Sequence, residues 1–172
     1  MYEVEIKAKA KKDTLARLRA LGSMTKEVSE KDTYYRHPCR DFAKTDEALR
    51  VRESEGRLLL TYKGPKMDAT TKTRQEENME VFKEIYPILA SLGFKEVRKV
   101  EKKRELYTLK DALASFDSVK GLGQFMELEI CAEKKSEIPK AKKKLFSVFS
   151  ELGFEKNDSI TSSYLELLLA KK

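Results

Sequence analysis

"EVEIK", residues 3–7, alternates charged and apolar side chains. In a strand, Glu3, Glu5 and Lys7 share one face, and Val4 and Ile6 share the other. A near-copy, "ELEIC" at 127–131, sets Glu127 and Glu129 against Leu128 and Ile130. The copy has Cys131 where the first stretch has Lys7. The same period of two recurs through the chain in DTYYR (32–36), ALRVR (48–52), RLLLTYKG (57–64), VRKVEKKRELYTL (97–109) and QFMELEI (124–130). Its polar faces pair Arg50 with Arg52, Thr61 with Lys63, Arg74 with Glu76, and Lys102 with Arg104. Strand after strand thus has one apolar and one charged face, the pattern of an antiparallel sheet covered by helices on one side.

Helical patterns supply that cover. Segments 3–22, 73–94 and 127–154 each begin with an acidic alternating stretch, pass into helical spacing and end in Leu-Gly. Gly22, Gly93 and Gly153 read as left-handed closing positions, where a residue without Cβ meets no clash. Asp13 reads as the cap of a helix carrying Leu15, Leu18 and Leu21. Pro87 disturbs the second helix or sits in its first turn; Pro139 suits the first turn of the third, whose stripe is Leu145, Phe146, Phe149 and Leu152. Glu55-Gly56 reads as a hairpin turn. Asn78 falls where alternation should continue, so the strand containing Arg74 and Glu76 reads as short. Residues 163–169 suit either a helix or a strand.

The chain's 172 residues suit one domain, 1–172. It is 40% hydrophobic and 38% charged, with a formal net charge of +7, which favours anionic partners. Cys39 and Cys131 lie far apart with no CxxC, so neither a thiolate zinc site nor a disulfide framework is expected. No apolar run approaches the roughly 20 residues of a membrane span, and charge begins at Glu3, so a cytoplasmic protein without a signal peptide is expected. The only histidine, His37, stands beside a proline in a loop-like stretch and reads as incidental; the tyrosines read as packing groups, and the lysines of 134–144 as a solvated helix face.

The signs of the charges carry the chemistry. Acidic pairs lie at the two ends of the chain and basic pairs in the middle, whereas a merely soluble face would mix signs between neighbours. Arginine offers a planar fork suited to phosphate oxygens, and carboxylates hold hard divalent cations that bridge to phosphate. A sheet that curled closed would turn this charged face into a lumen, costly unless ligand, water and metal balanced it.

With these residues the chain resembles the CYTH domain family, the triphosphate tunnel metalloenzymes. EVEIK matches that family's ExExK signature, and ALRVR (48–52), TYKGP (61–65), TRQE (73–76), KKRELY (102–107), FD (116–117), GLGQFMELE (121–129) and SYLELL (163–168) resemble further family elements in family order. The resemblance implies an α+β fold: a closed antiparallel barrel of about eight strands around a tunnel, with flanking helices. It implies that Glu3, Glu5, Glu127 and Glu129, with Asp117, hold Mg²⁺ or Mn²⁺, two ions when substrate is bound. It implies that Lys7, Arg50, Arg52, Lys63, Arg74, Lys102 and Arg104 bind the triphosphate. Glu5, Lys7, Arg52 and Glu129 are the residues expected to matter most for catalysis, and Glu76 is a weaker candidate. The order DTYY (32–35), HPCRDF (37–42), TDEALRVR (45–52) is most similar to the fourth class of adenylyl cyclases, which make cyclic AMP from ATP. Thiamine and inorganic triphosphatases share the fold, so hydrolysis stands as the alternative. A non-catalytic polyphosphate or RNA binder is the third reading, disfavoured because acidic pairs repel a bare phosphate backbone. The expected partner is a small-molecule triphosphate, with neither membrane nor nucleic acid, and a homodimer is compatible with the family.

Overall fold

The computed structural model describes residues 1–68 and 70–171. Eight strands form a closed antiparallel barrel: β1 (Tyr2–Lys9), β2 (Ser23–Arg36), β3 (Ala48–Ser54), β4 (Arg57–Lys63), β5 (Arg74–Val81), β6 (Lys95–Leu109), β7 (Ala112–Val119) and β8 (Gly123–Ala132). Their order around the barrel is β1-β5-β4-β3-β2-β6-β7-β8. The helices are α1 (Thr14–Leu21), α2 (Phe42–Thr45), α3 (Ile85–Ser91), α4 (Ile138–Glu151) and α5 (Tyr164–Ala170).

Period-two alternation decides which face turns inward. On β1 and β8, Val4, Ile6, Met126 and Leu128 point outward and join Leu145, Val148 and Phe149 of α4 in one core, which α1 enters through Leu18. A second outer core packs Tyr35, Leu49 and Val51 against Phe42 of α2 and Leu89 of α3. Each such side chain removed from water contributes about 1.5–3 kcal/mol, enough to force the charged faces inward. The barrel is thus inverted relative to a water-soluble sandwich: apolar outside under helices, charged inside.

α5 packs on the inside. Its Tyr164 and Leu168 meet Tyr34, Val100, Val119 and Phe125, which the strand register places on the inner face at one end. Ser163 caps it in a capping box with Glu166, which decides residues 163–169 in favour of helix. Pro87 lies within the first turn of α3, and Pro139 starts α4. Glu55 and Gly56 both have positive φ, 51° and 76°, the geometry of the tight hairpin turn expected there.

Several expectations fail locally. Gly22 is extended, with φ −115° and ψ 162°, because the chain enters β2 directly; only Gly93 and Gly153 take the left-handed form. Asp13 precedes α1, but its side chain bonds Arg17 Nε at 2.6 Å instead of capping the backbone. Asn78 does not shorten its strand. β5 continues to Val81, and Asn78 takes a hydrogen bond from Thr61 and donates one to Glu76. β2 begins nine residues before DTYYR, and β7 was not legible as a strand; the mixed polar and small residues of both hide their period.

Candidate active site

The register assembles the inner face pair by pair. Glu3 stands opposite Arg74, Lys7 opposite Glu127, Glu30 opposite Lys102, Asp32 opposite Arg52, Lys63 opposite Glu76, and Arg104 opposite Asp117. Every one of these joins opposite signs. Glu5 opposite Glu129 is the exception. Like charges directly opposed across a ladder repel, so this pair marks the place where the lumen is short of positive charge.

The remaining groups interlock. Arg52 grips Asp32 with two hydrogen bonds, 2.6 and 2.9 Å, while Arg50 and Lys102 reach the same carboxylate at 3.3 and 3.1 Å. Burial works to raise the Asp32 carboxyl, but Arg50, Lys102 and Arg52 outweigh it and hold it well below the usual range. Arg104 forks onto Asp117 at 2.6 and 2.5 Å and reaches Glu127 at 2.5 Å. Asp117 is fully buried and also accepts the Tyr164 hydroxyl at 2.8 Å. Lys63 bridges Glu3 and Glu76, 2.5 Å from each. Lys72 lies 2.5 Å from Glu5. Lys7 donates to the Ser162 carbonyl, and its ammonium lies 4.5 Å from the centre of the Tyr164 ring. Burial, then the neighbouring Lys72 charge, bring Lys7 down to about 7.

All the residues expected from the sequence come together around the lumen, although Arg74 also bonds the Asp46 carbonyl at 3.5 Å, near the mouth. Glu76 joins the group through Lys63. Sequence reasoning missed Glu30, Asp32, Lys72 and Tyr164. Glu30 and Asp32 carried a signal, the i, i+2 spacing that continues into Tyr34. Lys72 had none: it lies in an irregular stretch that runs beside β1, its amide bonded to the Glu5 carbonyl. The sorting of signs also looks different in three dimensions, because acidic β2 lies between basic β3 and β6. His37 has a structural place, its Nδ1 accepting the amides of Cys39 and Arg40.

A cavity of about 1060 Å³ runs through this lumen, lined by Glu3, Glu5, Arg50, Arg52, Lys63, Lys72, Lys102, Arg104, Glu127 and Glu129 among others. Inside it, Glu129 has no lysine or arginine in ion-pair contact among the described residues. Burial first, then the Glu3 and Glu5 carboxylates, push it up to about 7. Arg50 Nε is buried without a hydrogen-bond acceptor. No trio of carboxylate, histidine or cysteine side chains among the described residues is already gathered as a ligand set. The chemistry nevertheless fits a divalent cation: Glu5, Glu129 and Glu3 offer hard oxygen donors where negative charge is in excess.

A family model for the CYTH domain matches residues 1–164. The chain is 40% identical over 172 residues to the Methanocaldococcus jannaschii protein named "Putative adenylate cyclase MJ0240", covering 97% of this chain and 98% of that one. It is 27% identical over 173 residues to "Adenylate cyclase CyaB" of Aeromonas hydrophila, covering 96% and 88%. The solved structure of the PH1819 protein from Pyrococcus horikoshii superposes with a TM-score of 0.91 at 44% identity, over 99% of both chains. With a charged lumen inside a helix-clad barrel and a family match along nearly its whole length, the chain belongs to the CYTH domain family.

Proposed function

We propose that this chain is a divalent-metal-dependent enzyme acting on a triphosphate, and specifically an adenylyl cyclase that converts ATP to 3′,5′-cyclic AMP and pyrophosphate. The observation that carries the metal and the triphosphate together is the Glu5–Glu129 pair, two carboxylates directly opposed across the β1–β8 ladder with no lysine or arginine in ion-pair contact with Glu129 among the described residues. The inner face carries Lys7, Arg50, Arg52, Lys63, Lys72, Arg74, Lys102 and Arg104 against Glu3, Glu5, Glu30, Asp32, Glu76, Asp117, Glu127 and Glu129, eight cations and eight carboxylates. These sixteen groups leave no net positive charge to balance a polyanionic triphosphate, and cations entering with it would supply that charge. Glu5 and Glu129, with Glu3, would hold them; Glu127, turned to Arg104, adds a further oxygen. When bound, the cation supplies Lewis-acid charge at phosphate oxygens.

The chain's own groups do the rest. Arg50 has an unused buried donor for a phosphate oxygen; Arg52, Lys102 and Arg104 hold and orient the phosphate chain against fixed carboxylates. Asp117 acts by fixing Arg104 rather than as a metal ligand, since Arg104 and Tyr164 engage both of its oxygens. In the reaction the ribose 3′-oxygen forms a bond to the α-phosphorus, and the bond from that phosphorus to the bridging oxygen breaks. The hydroxyl proton passes to water, and pyrophosphate leaves with the electron pair. The basic groups neutralise charge that grows on the leaving pyrophosphate.

Incubation with ATP and Mn²⁺, followed by product chromatography, tests the assignment. Cyclic AMP with equimolar pyrophosphate is the expected result. Inorganic phosphate with ADP would move the assignment to a triphosphatase using the same tunnel. The names of the Methanocaldococcus and Aeromonas relatives favour the cyclase.

A further inference from the structure

We propose that Lys72 is an exchangeable counter-ion of the metal site: it neutralises Glu5 in the free protein, and turns its ammonium onto the phosphate chain when a divalent cation takes that carboxylate. This rests on the metal and triphosphate reading above. Two of the three carboxylates assigned to the metal carry an ammonium. Lys63 lies 2.5 Å from Glu3, and Lys72 donates to Glu5 Oε1 at 2.5 Å. A divalent cation and an ammonium compete for the same carboxylate oxygens, and side by side they repel. Glu5 therefore serves a metal only as Lys72 gives way.

Lys63 is not built to move. It stands opposite Glu76 in register and lies 2.5 Å from that carboxylate too, so releasing Glu3 leaves it paired. Lys72 has Glu5 as its one ion-pair partner among the described residues. Its backbone is held: the amide donates to the Glu5 carbonyl at 3.0 Å. Next to it, the Thr71 hydroxyl donates to Asp68 at 2.8 Å, and Asp68 pairs with Lys142 of α4 at 3.0 Å. Motion is thus confined to the side chain, a flexible four-carbon stem carrying a compact charge. The ammonium swings from a backbone docked on β1, beside the carboxylate it holds.

A released Lys72 finds no spare carboxylate in the protein. Its other charged neighbours are Glu127, Glu3 and Lys7. Arg104 already lies 2.5 Å from Glu127, and Lys63 holds Glu3. Glu129, with no cation in contact, belongs to the metal set. The freed ammonium and that of Lys7 are then two buried like charges, and an anion relieves them. Metal binding thus builds an anion site from a group that the protein had neutralised. Coupling between two ligands is reciprocal, so a triphosphate that draws Lys72 away uncovers Glu5 for metal. Lys72 thereby makes each ligand weak alone and tight together.

Two measurements on the full chain test this: electron paramagnetic resonance of Mn²⁺ binding alone, and calorimetric titration of tripolyphosphate in saturating Mn²⁺. Lys72→Met should bind Mn²⁺ alone about 10-fold more tightly than the wild type, and tripolyphosphate about 10-fold more weakly. Lys72→Arg keeps the charge and should return Mn²⁺ binding to the wild-type level. If Lys72→Met fails to fold, Lys72→Gln gives the same comparison. Mn²⁺ affinity that is unchanged or lowered in the neutral variant overturns the exchange, and so does tighter Mn²⁺ with unchanged tripolyphosphate, which leaves Lys72 a fixed counter-ion. If Lys72→Arg tightens Mn²⁺ as much as Lys72→Met, charge is not the cause and the exchange is wrong. In each of these cases the triphosphate reading survives. If the wild type binds no tripolyphosphate in Mn²⁺, the triphosphate reading fails, and the exchange with it.

Discussion

Glu129 and Asp32 show how differently two carboxylates behave inside one lumen. Glu129 faces Glu5 with no cation in contact, so neutralising it should relieve repulsion: Glu129→Gln should keep or raise thermal stability while metal-dependent turnover falls about 100-fold or more. Circular dichroism melts and product assays at saturating Mg²⁺ check both halves, and a wild-type rate would remove Glu129 from the metal site. Asp32 is the opposite case, buried among Arg50, Arg52 and Lys102. Asp32→Ala leaves these cations without their acceptor and should cost about 3–5 kcal/mol in chemical denaturation. The pH dependence has a definite sign. A carboxyl held below its unfolded value of about 3.9 contributes stability that is complete at higher pH and lost as pH falls below about 4. Acid titration of the fold should therefore show a shallower loss for Asp32→Asn than for the wild type, from a lower starting stability. Neither behaviour could be read from residue type: both are acidic residues at i, i+2 from another acid, and only the partner across the ladder separates them.

At the scale of elements, the alternation of β1, β3, β4 and β8 was legible because burial of one face and charge on the other leave a strict period of two. β7 and the first half of β2 were not, since small and polar residues fill both of their faces. Gly22 shows a further limit: Leu-Gly ends all three helical segments, but whether the glycine turns left-handed depends on where the next strand lies. Ser163 offers a test of α5. Ser163→Ala removes the side-chain acceptor for the Glu166 amide and should cost about 1 kcal/mol of local helix stability. Amide exchange at 164–170 should accelerate while β1, β6 and β8 keep their protection; equal acceleration everywhere would mean that α5 and the barrel unfold as one unit. The turn at Glu55-Gly56 is simpler. Gly56→Ala should destabilise by about 1 kcal/mol, because its φ of 76° lies in the left-handed region that favours glycine.

On the function proposed above, the whole molecule is a balanced charge shell whose ligand brings its own cations. Mg²⁺ and a triphosphate supplied together should raise the melting temperature by roughly 5–10 °C at about 100 times the dissociation constant. Either alone should give much less, and EDTA should abolish the joint effect; an equal shift with bare triphosphate would refute the charge-balance argument. The amino-acid sequence by itself determined the amphipathic strands, the helices that cover their apolar faces, the α+β barrel resemblance and most of the charged residues of the lumen. Period and side-chain polarity are local properties and survive in one dimension. Only the tertiary structure decided which charges cancel, that Glu5 and Glu129 stand opposed, and that Lys72 and Tyr164 reach the site. Each of these depends on strand order and register, set by closing the barrel between segments more than a hundred residues apart.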